Sequence, residues 1–234
     1  MPPIDPSRRR RTRFGAIVHD LVEGTRRRAV GRAWWPRALA LVWMAHVAID
    51  LWDDPLKPRG LLNYPNVFAG LNLGIHELGH VVFWPFGELV GFAGGSILQC
   101  LAPIVALVMF ARQGDDFAIC VALTWLGTNV FSVGVYMADA VVRRLPLVSP
   151  FGGDPLHDWA QVFGRLGLLG QAEPIGLATK LAAMVWIGLG LAGGLWVVFE
   201  TWRAGRRPFA DRTPPPFEPR SISASCRARS GPNR

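Results

Sequence analysis

The sequence predicts an all-α, polytopic membrane bundle of about five transmembrane helices. Three observations predict it. Half of the 234 residues are hydrophobic (50%), and the mean hydropathy is positive, +0.25, although the chain carries 25 Lys and Arg residues. The apolar residues gather in runs close to the roughly 20 residues that cross a bilayer as a helix. The arginines gather at the two ends, outside those runs. Helices are the expected form of the runs, because in lipid a helix satisfies its own backbone hydrogen bonds.

Residues 1–33 form a basic leader, with Arg8 to Arg11, Arg13, Arg26 to Arg28 and Arg32. The arginine run has the look of an export signal. However, His19, Asp20 and Glu23 interrupt the apolar stretch that such a signal needs, so a cleaved signal is not expected. A basic helix at the membrane surface around 14–29 is expected instead. The membrane domain is expected over 34–202. Its first run, about 34–52, has Trp34 and Trp52 at its ends as interfacial anchors. The others are about 65–85, 92–111, 117–141 and 181–202. Residues 86–91 leave room only for a tight hairpin or a re-entrant turn, and 112–116 are a polar turn. The long connection, about 142–180, holds Arg143 and Arg144, a Pro/Gly-rich stretch, and His157-Asp158-Trp159 opening a short amphipathic segment to about 169. Residues 203–234, rich in Arg, Pro and Ser, are expected to be a disordered basic tail.

A net charge of +8 and a pI near 10.6 would suit a nucleic-acid partner, but here the basic residues flank apolar runs. In that position they fix topology and attract anionic headgroups, so the expected partner is the lipid bilayer and no nucleic acid. Five crossings from a cytoplasmic leader would leave the basic tail outside, against the charge bias, unless one span is re-entrant. Cys100, Cys120 and Cys226 have no metal-ligand spacing and are read as packing residues.

The chemistry is concentrated in His76-Glu77-Leu78-Gly79-His80, inside the second run. Residues four apart share a helix face, so both imidazoles can reach one ion. Glu77 stands beside them, where a carboxylate can take a proton from a zinc-bound water. His and Glu are costly in lipid, and three of them within five residues are hard to explain as packing. Other polar residues carry less. Asn72 lies one turn before His76, within reach of a ligand. Gln99 either holds substrate backbone or bonds a neighbouring helix. Asn129 and Ser132 are read as interhelical glue, and His46 with Asp50 as an ion pair, a proton relay or a support for the site. Gly94, Gly95, Gly188, Gly190, Gly193 and Gly194 are read as permitting close helix packing.

Asn72 to His80 within a membrane run resembles the site-2 protease-like intramembrane zinc metallopeptidases. More closely, residues from about 63 to 170 are similar to a group of bacterial membrane proteins related to them. The matching pieces are His76 to Phe83, Pro85 to Glu88, Gly94 to Gln99, Tyr136 to Ala140, and His157-Asp158-Trp159. The resemblance implies zinc held by His76 and His80, Glu77 as general base, a membrane protein or peptide as substrate, and a bacterial inner (plasma) membrane as location. The family's third ligand, an Asp in a Leu-Asp-Gly motif, has no counterpart in this sequence. Asp139, His157 and Asp158 are the candidates. His157 is preferred, because a His between acidic residues can be oriented by a carboxylate. The expected activity is zinc-dependent peptide hydrolysis. The alternatives are a metal-binding membrane protein without catalysis and a small ion or proton transporter.

Overall fold

The computed structural model describes residues 13–52, 68–145, 147 and 156–206. The described residues form seven α-helices and no strand: α1 (Arg13–Ala29), α2 (Trp35–Trp52), α3 (Phe68–Phe83), α4 (Glu88–Gln113), α5 (Asp116–Ala138), α6 (Asp158–Leu166) and α7 (Ala172–Gly205). The leader helix matches its expected range, and the last twenty-eight positions of the tail lie outside the described residues.

Local chemistry sets the boundaries. Pro85 lies in a 3-10 turn, Trp84–Phe86, that ends α3, and Gly87 reverses the chain with φ of 101°, a region open mainly to glycine. The hairpin anticipated for 86–91 is therefore only a few residues long, and α4 begins at Glu88 instead of near 92. Gly114, at φ 67°, closes α4. Asp115 then caps α5 by accepting a hydrogen bond from the Ala118 N–H at 3.2 Å. The fifth run also starts earlier than anticipated. After a 3-10 turn, Leu169–Gln171, α7 runs unbroken for 34 residues. Pro174 does not break it, because first-turn N–H groups have no helical partner to lose.

Three helical stretches are long and apolar enough to cross a membrane: Glu88–Gln113, Asp116–Ala138 and Leu169–Gly205. The apolar part of α2, Trp35–Ile49, falls short of that length. So does the described part of α3, 16 residues that rise about 24 Å against a hydrocarbon core of about 30 Å. Among the described residues, the five spans read from hydropathy therefore resolve into three long helices and two shorter ones.

The frame of the bundle is α5 against α7, which approach closely enough for backbones to touch. A Cβ on Gly176 would sit 2.6 Å from the Gly134 carbonyl oxygen, and one on Gly127 would sit 2.7 Å from Ile187. This is the small-residue packing by which membrane helices associate. On the frame, α4 packs against α5, and α3 against α4. At one end α1 is tied down by ion pairs: Arg28 with Asp116 at 2.8 Å, Arg32 with Asp115 at 3.5 Å and Arg26 with the buried Glu200 at 3.5 Å. The α4–α5 turn, the start of α2 and the C-terminal end of α7 share this end. Toward the other end α6 docks through Ala160, Val162 and Phe163 against Ala140 and Ala172. Trp159 Nε1 donates to Ser96 Oγ at 3.1 Å. Arg165 pairs with Glu88 at 2.8 Å and stacks over Phe92. These contacts fix the first turn of α6 over the face of α3 that carries the histidines.

Candidate metal centre

The i, i+4 spacing of His76 and His80 places both rings on the α3 face turned to α4, with centroids 4.9 Å apart. The approach of the two helices depends on glycine. A Cβ on Gly79 would collide with the Gly94 carbonyl, and one on Gly95 would lie 2.6 Å from His76 Nε2. A larger residue at Gly95 would occupy the space of the imidazole itself.

Each ring is held by its Nδ1. His80 Nδ1 lies 2.8 Å from the Gly91 carbonyl oxygen, and His76 Nδ1 lies 3.0 Å from Gln99 Oε1. Both partners are acceptors, so Nδ1 carries the proton and the lone pair rests on Nε2. The two Nε2 atoms then converge on one carboxylate oxygen. Asp158 Oδ2 is 3.3 Å from His76 Nε2 and 3.3 Å from His80 Nε2, and the three ligand atoms lie within 4.8 Å of one another. Ligands about 2.0–2.1 Å from a tetrahedral zinc stand about 3.3–3.4 Å apart. The two measured separations are edges of such a tetrahedron, so the residues fit a bound divalent metal. The side chains are 13%, 23% and 12% exposed for His76, His80 and Asp158.

Asp158 is positioned from two sides. The Tyr136 hydroxyl, from the last turns of α5, donates to Asp158 Oδ2 at 3.1 Å and accepts from the Asp158 backbone N–H at 3.1 Å. Burial pushes the Asp158 carboxyl up, but without a metal the His76 and His80 rings, when protonated on Nε2 as well, donate to it, outweigh burial and hold the group at about 2. The aspartate is therefore ionised at neutral pH, as a metal ligand must be.

The preference for His157 as third ligand is corrected by this geometry. His157 is the N-cap of α6, and its Nδ1 accepts from the Ala160 N–H at 3.3 Å. Its Nε2 faces Asp139 Oδ2 at 3.4 Å, away from the α3 histidines, and its ring lies against Tyr136 with centroids 4.3 Å apart. Burial lowers its pKa more than Asp139 raises it, so the ring is neutral with its proton on Nε2. Neither nitrogen has a lone pair to give. Asp139 is engaged elsewhere: it accepts from the Arg144 N–H at 2.9 Å and the Leu145 N–H at 3.0 Å, closing the turn after α5. Of the three candidates, the structure brings only Asp158 to the histidine pair.

Glu77 is half-buried beside His76, near enough for its charge to act on His80 and Tyr136. The remaining polar residues divide. Asn129 does bridge helices, accepting from Gln99 Nε2 at 3.0 Å. Ser132 instead donates to Thr128 O of its own helix at 3.0 Å. Asn72 accepts from Trp125 Nε1 at 2.9 Å, not from a ligand. His46 is exposed on α2, and the Asp50 side chain lies outside the described residues, as does Cys226. Cys100 and Cys120 are free thiols away from the ligand group. Tyr136 was not singled out by sequence reasoning as a site residue. A tyrosine at the end of an apolar run looks like an interfacial anchor, and only the fold shows its partner. No protein-family model, curated protein or solved structure matches this chain.

Proposed function

We propose that this chain is a zinc-dependent membrane metallopeptidase that hydrolyses peptide bonds in or near the bilayer. The observation that carries the reading is the convergence of His76, His80 and Asp158, with Asp158 Oδ2 3.3 Å from each Nε2 and the three ligand atoms within 4.8 Å of one another, and with Glu77 on the same helix turn. Two imidazoles, one carboxylate and a position left for water make a zinc-hydrolase donor set. When bound, zinc supplies an acidified water and polarises the substrate carbonyl.

The chain's own groups do the rest. Glu77 takes a proton from the attacking water onto its carboxylate, then delivers it to the departing amine nitrogen as the C–N bond breaks. Gly91, Gln99 and Tyr136 hold the three ligands in register, so little reorganisation is needed during the reaction. The ligands sit between α3, α4 and α6, shielded from bulk water but not sealed. The substrate must arrive extended, because a hydrogen-bonded helix hides its carbonyls. A membrane protein or peptide unwound near the site meets that demand, and the bilayer is the surrounding solvent.

Glu77→Gln tests the reading. The amide keeps the shape of the side chain and removes the base, so the variant should fold and hold zinc as the wild type does. Cleavage of single-span membrane substrates should fall about 10²–10⁴-fold, the usual contribution of general-base help. Cleavage that persists in zinc-matched variant protein would contradict the assignment of Glu77. Zinc-loaded wild type that cleaves no member of a broad substrate panel would favour a binding protein without catalysis.

A further inference from the structure

We infer that Gln99 is a positioning residue of the metal centre, one that fixes the tautomer of His76 and is joined to α5 through Asn129. The inference rests on the metal reading of the His76, His80 and Asp158 group. It assigns to α4 and α5 a role beyond packing.

A histidine that binds metal through Nε2 must carry its proton on Nδ1. His80 meets this requirement with a main-chain acceptor, the Gly91 carbonyl at 2.8 Å, which offers no donor alternative. His76 relies on a side-chain amide, Gln99 at 3.0 Å. An amide has two faces: its oxygen accepts from Nδ1–H and leaves the lone pair on Nε2, whereas its NH₂ group would donate to Nδ1 and move the proton to Nε2, facing Asp158. In the structure the oxygen is the face turned to Nδ1. Asn129, fully buried on α5, places its Oδ1 3.0 Å from Gln99 Nε2 and so engages the NH₂ group, while its own Nδ2 has no hydrogen-bond partner among the described residues. The series Asn129–Gln99–His76 thus runs from α5 through α4 to α3 and ends at the metal-facing nitrogen. Both ends of the Gln99 amide are used, which leaves it poorly suited to holding substrate backbone. Partners of this kind typically change metal affinity by about 10–100-fold when removed.

The test uses full-length protein in detergent, with zinc affinity measured by competition against a chromogenic chelator. Gln99→Leu should weaken zinc binding about 10–100-fold. Gln99→Glu should bind within about threefold of wild type, because a carboxylate accepts from Nδ1–H whichever way it turns and the Asn129 amide can donate to it. Imidazole ¹⁵N shifts of the zinc-loaded wild type should place the His76 proton on Nδ1, a readout that does not depend on a variant folding. Unchanged affinity in Gln99→Leu, an equal loss in folded Gln99→Glu, or a His76 Nδ1 without a proton would overturn the inference while leaving the metal centre intact. Wild type that binds no zinc would overturn both.

Discussion

His157 and Asp158 show how one residue step separates support from chemistry. His157 accepts the Ala160 N–H and buries its other nitrogen toward Asp139. Sequence reasoning identified both residues, along with Asp139, because all three are chemically fit to bind zinc. What it did not contain is which lone pairs the helix cap and the post-α5 turn consume. By contrast, the His76/His80 pair and Glu77 were legible at once, because their relation is fixed by helix periodicity. His157→Ala should therefore leave the zinc content unchanged. It removes an N-cap, whose loss costs about 0.5–2 kcal/mol, so the effect should be a lowered thermal midpoint of the purified protein. Loss of zinc with an unchanged midpoint would return His157 to the ligand set.

At the scale of elements, the candidate metal centre depends on how closely α3 and α4 cross. The glycines of α4 were read from sequence as packing residues, and Gly94 is one, meeting the Gly79 backbone. Gly95 does more: it makes room for the His76 ring. That distinction needs the crossing geometry of the helices, which no hydropathy pattern contains. The starts of α4 and α7 were likewise misplaced, because hydropathy marks the apolar part of a helix and not the polar turns that continue it. Gly95→Ala would put a methyl group 2.6 Å from His76 Nε2, and overpacking of this kind costs about 1–3 kcal/mol. Since the imidazole is what must move, the variant should lose at least about tenfold in zinc affinity, the lower part of that range. It should keep the helical content of the wild type by circular dichroism. Wild-type affinity in Gly95→Ala would show that α3 and α4 separate freely and that the close crossing does not hold the ligand.

For the molecule as a whole, an all-helical bundle was legible from apolar runs and charge segregation, but the arrangement of its ends was not. Five equal crossings would separate the leader from the tail. Instead α1, the start of α2, the α4–α5 turn and the C-terminal end of α7 lie together, bound by Arg28–Asp116, Arg32–Asp115 and Arg26–Glu200. Among the described residues α3 ends at the Pro85 turn, and its Asn72 reaches Trp125 in the middle of α5. The ligand group occupies the half of the bundle away from α1, where α6 closes over it through Trp159 and Arg165. Helices from three separate parts of the chain therefore meet at one point, and a metal held there would join α3 to α6. Elemental analysis of the purified full-length chain beside Asp158→Ala tests this account most directly. The account predicts about one zinc per wild-type chain and a large loss of zinc in Asp158→Ala. Wild-type protein without a bound transition metal, or Asp158→Ala retaining the wild-type zinc content, would contradict it.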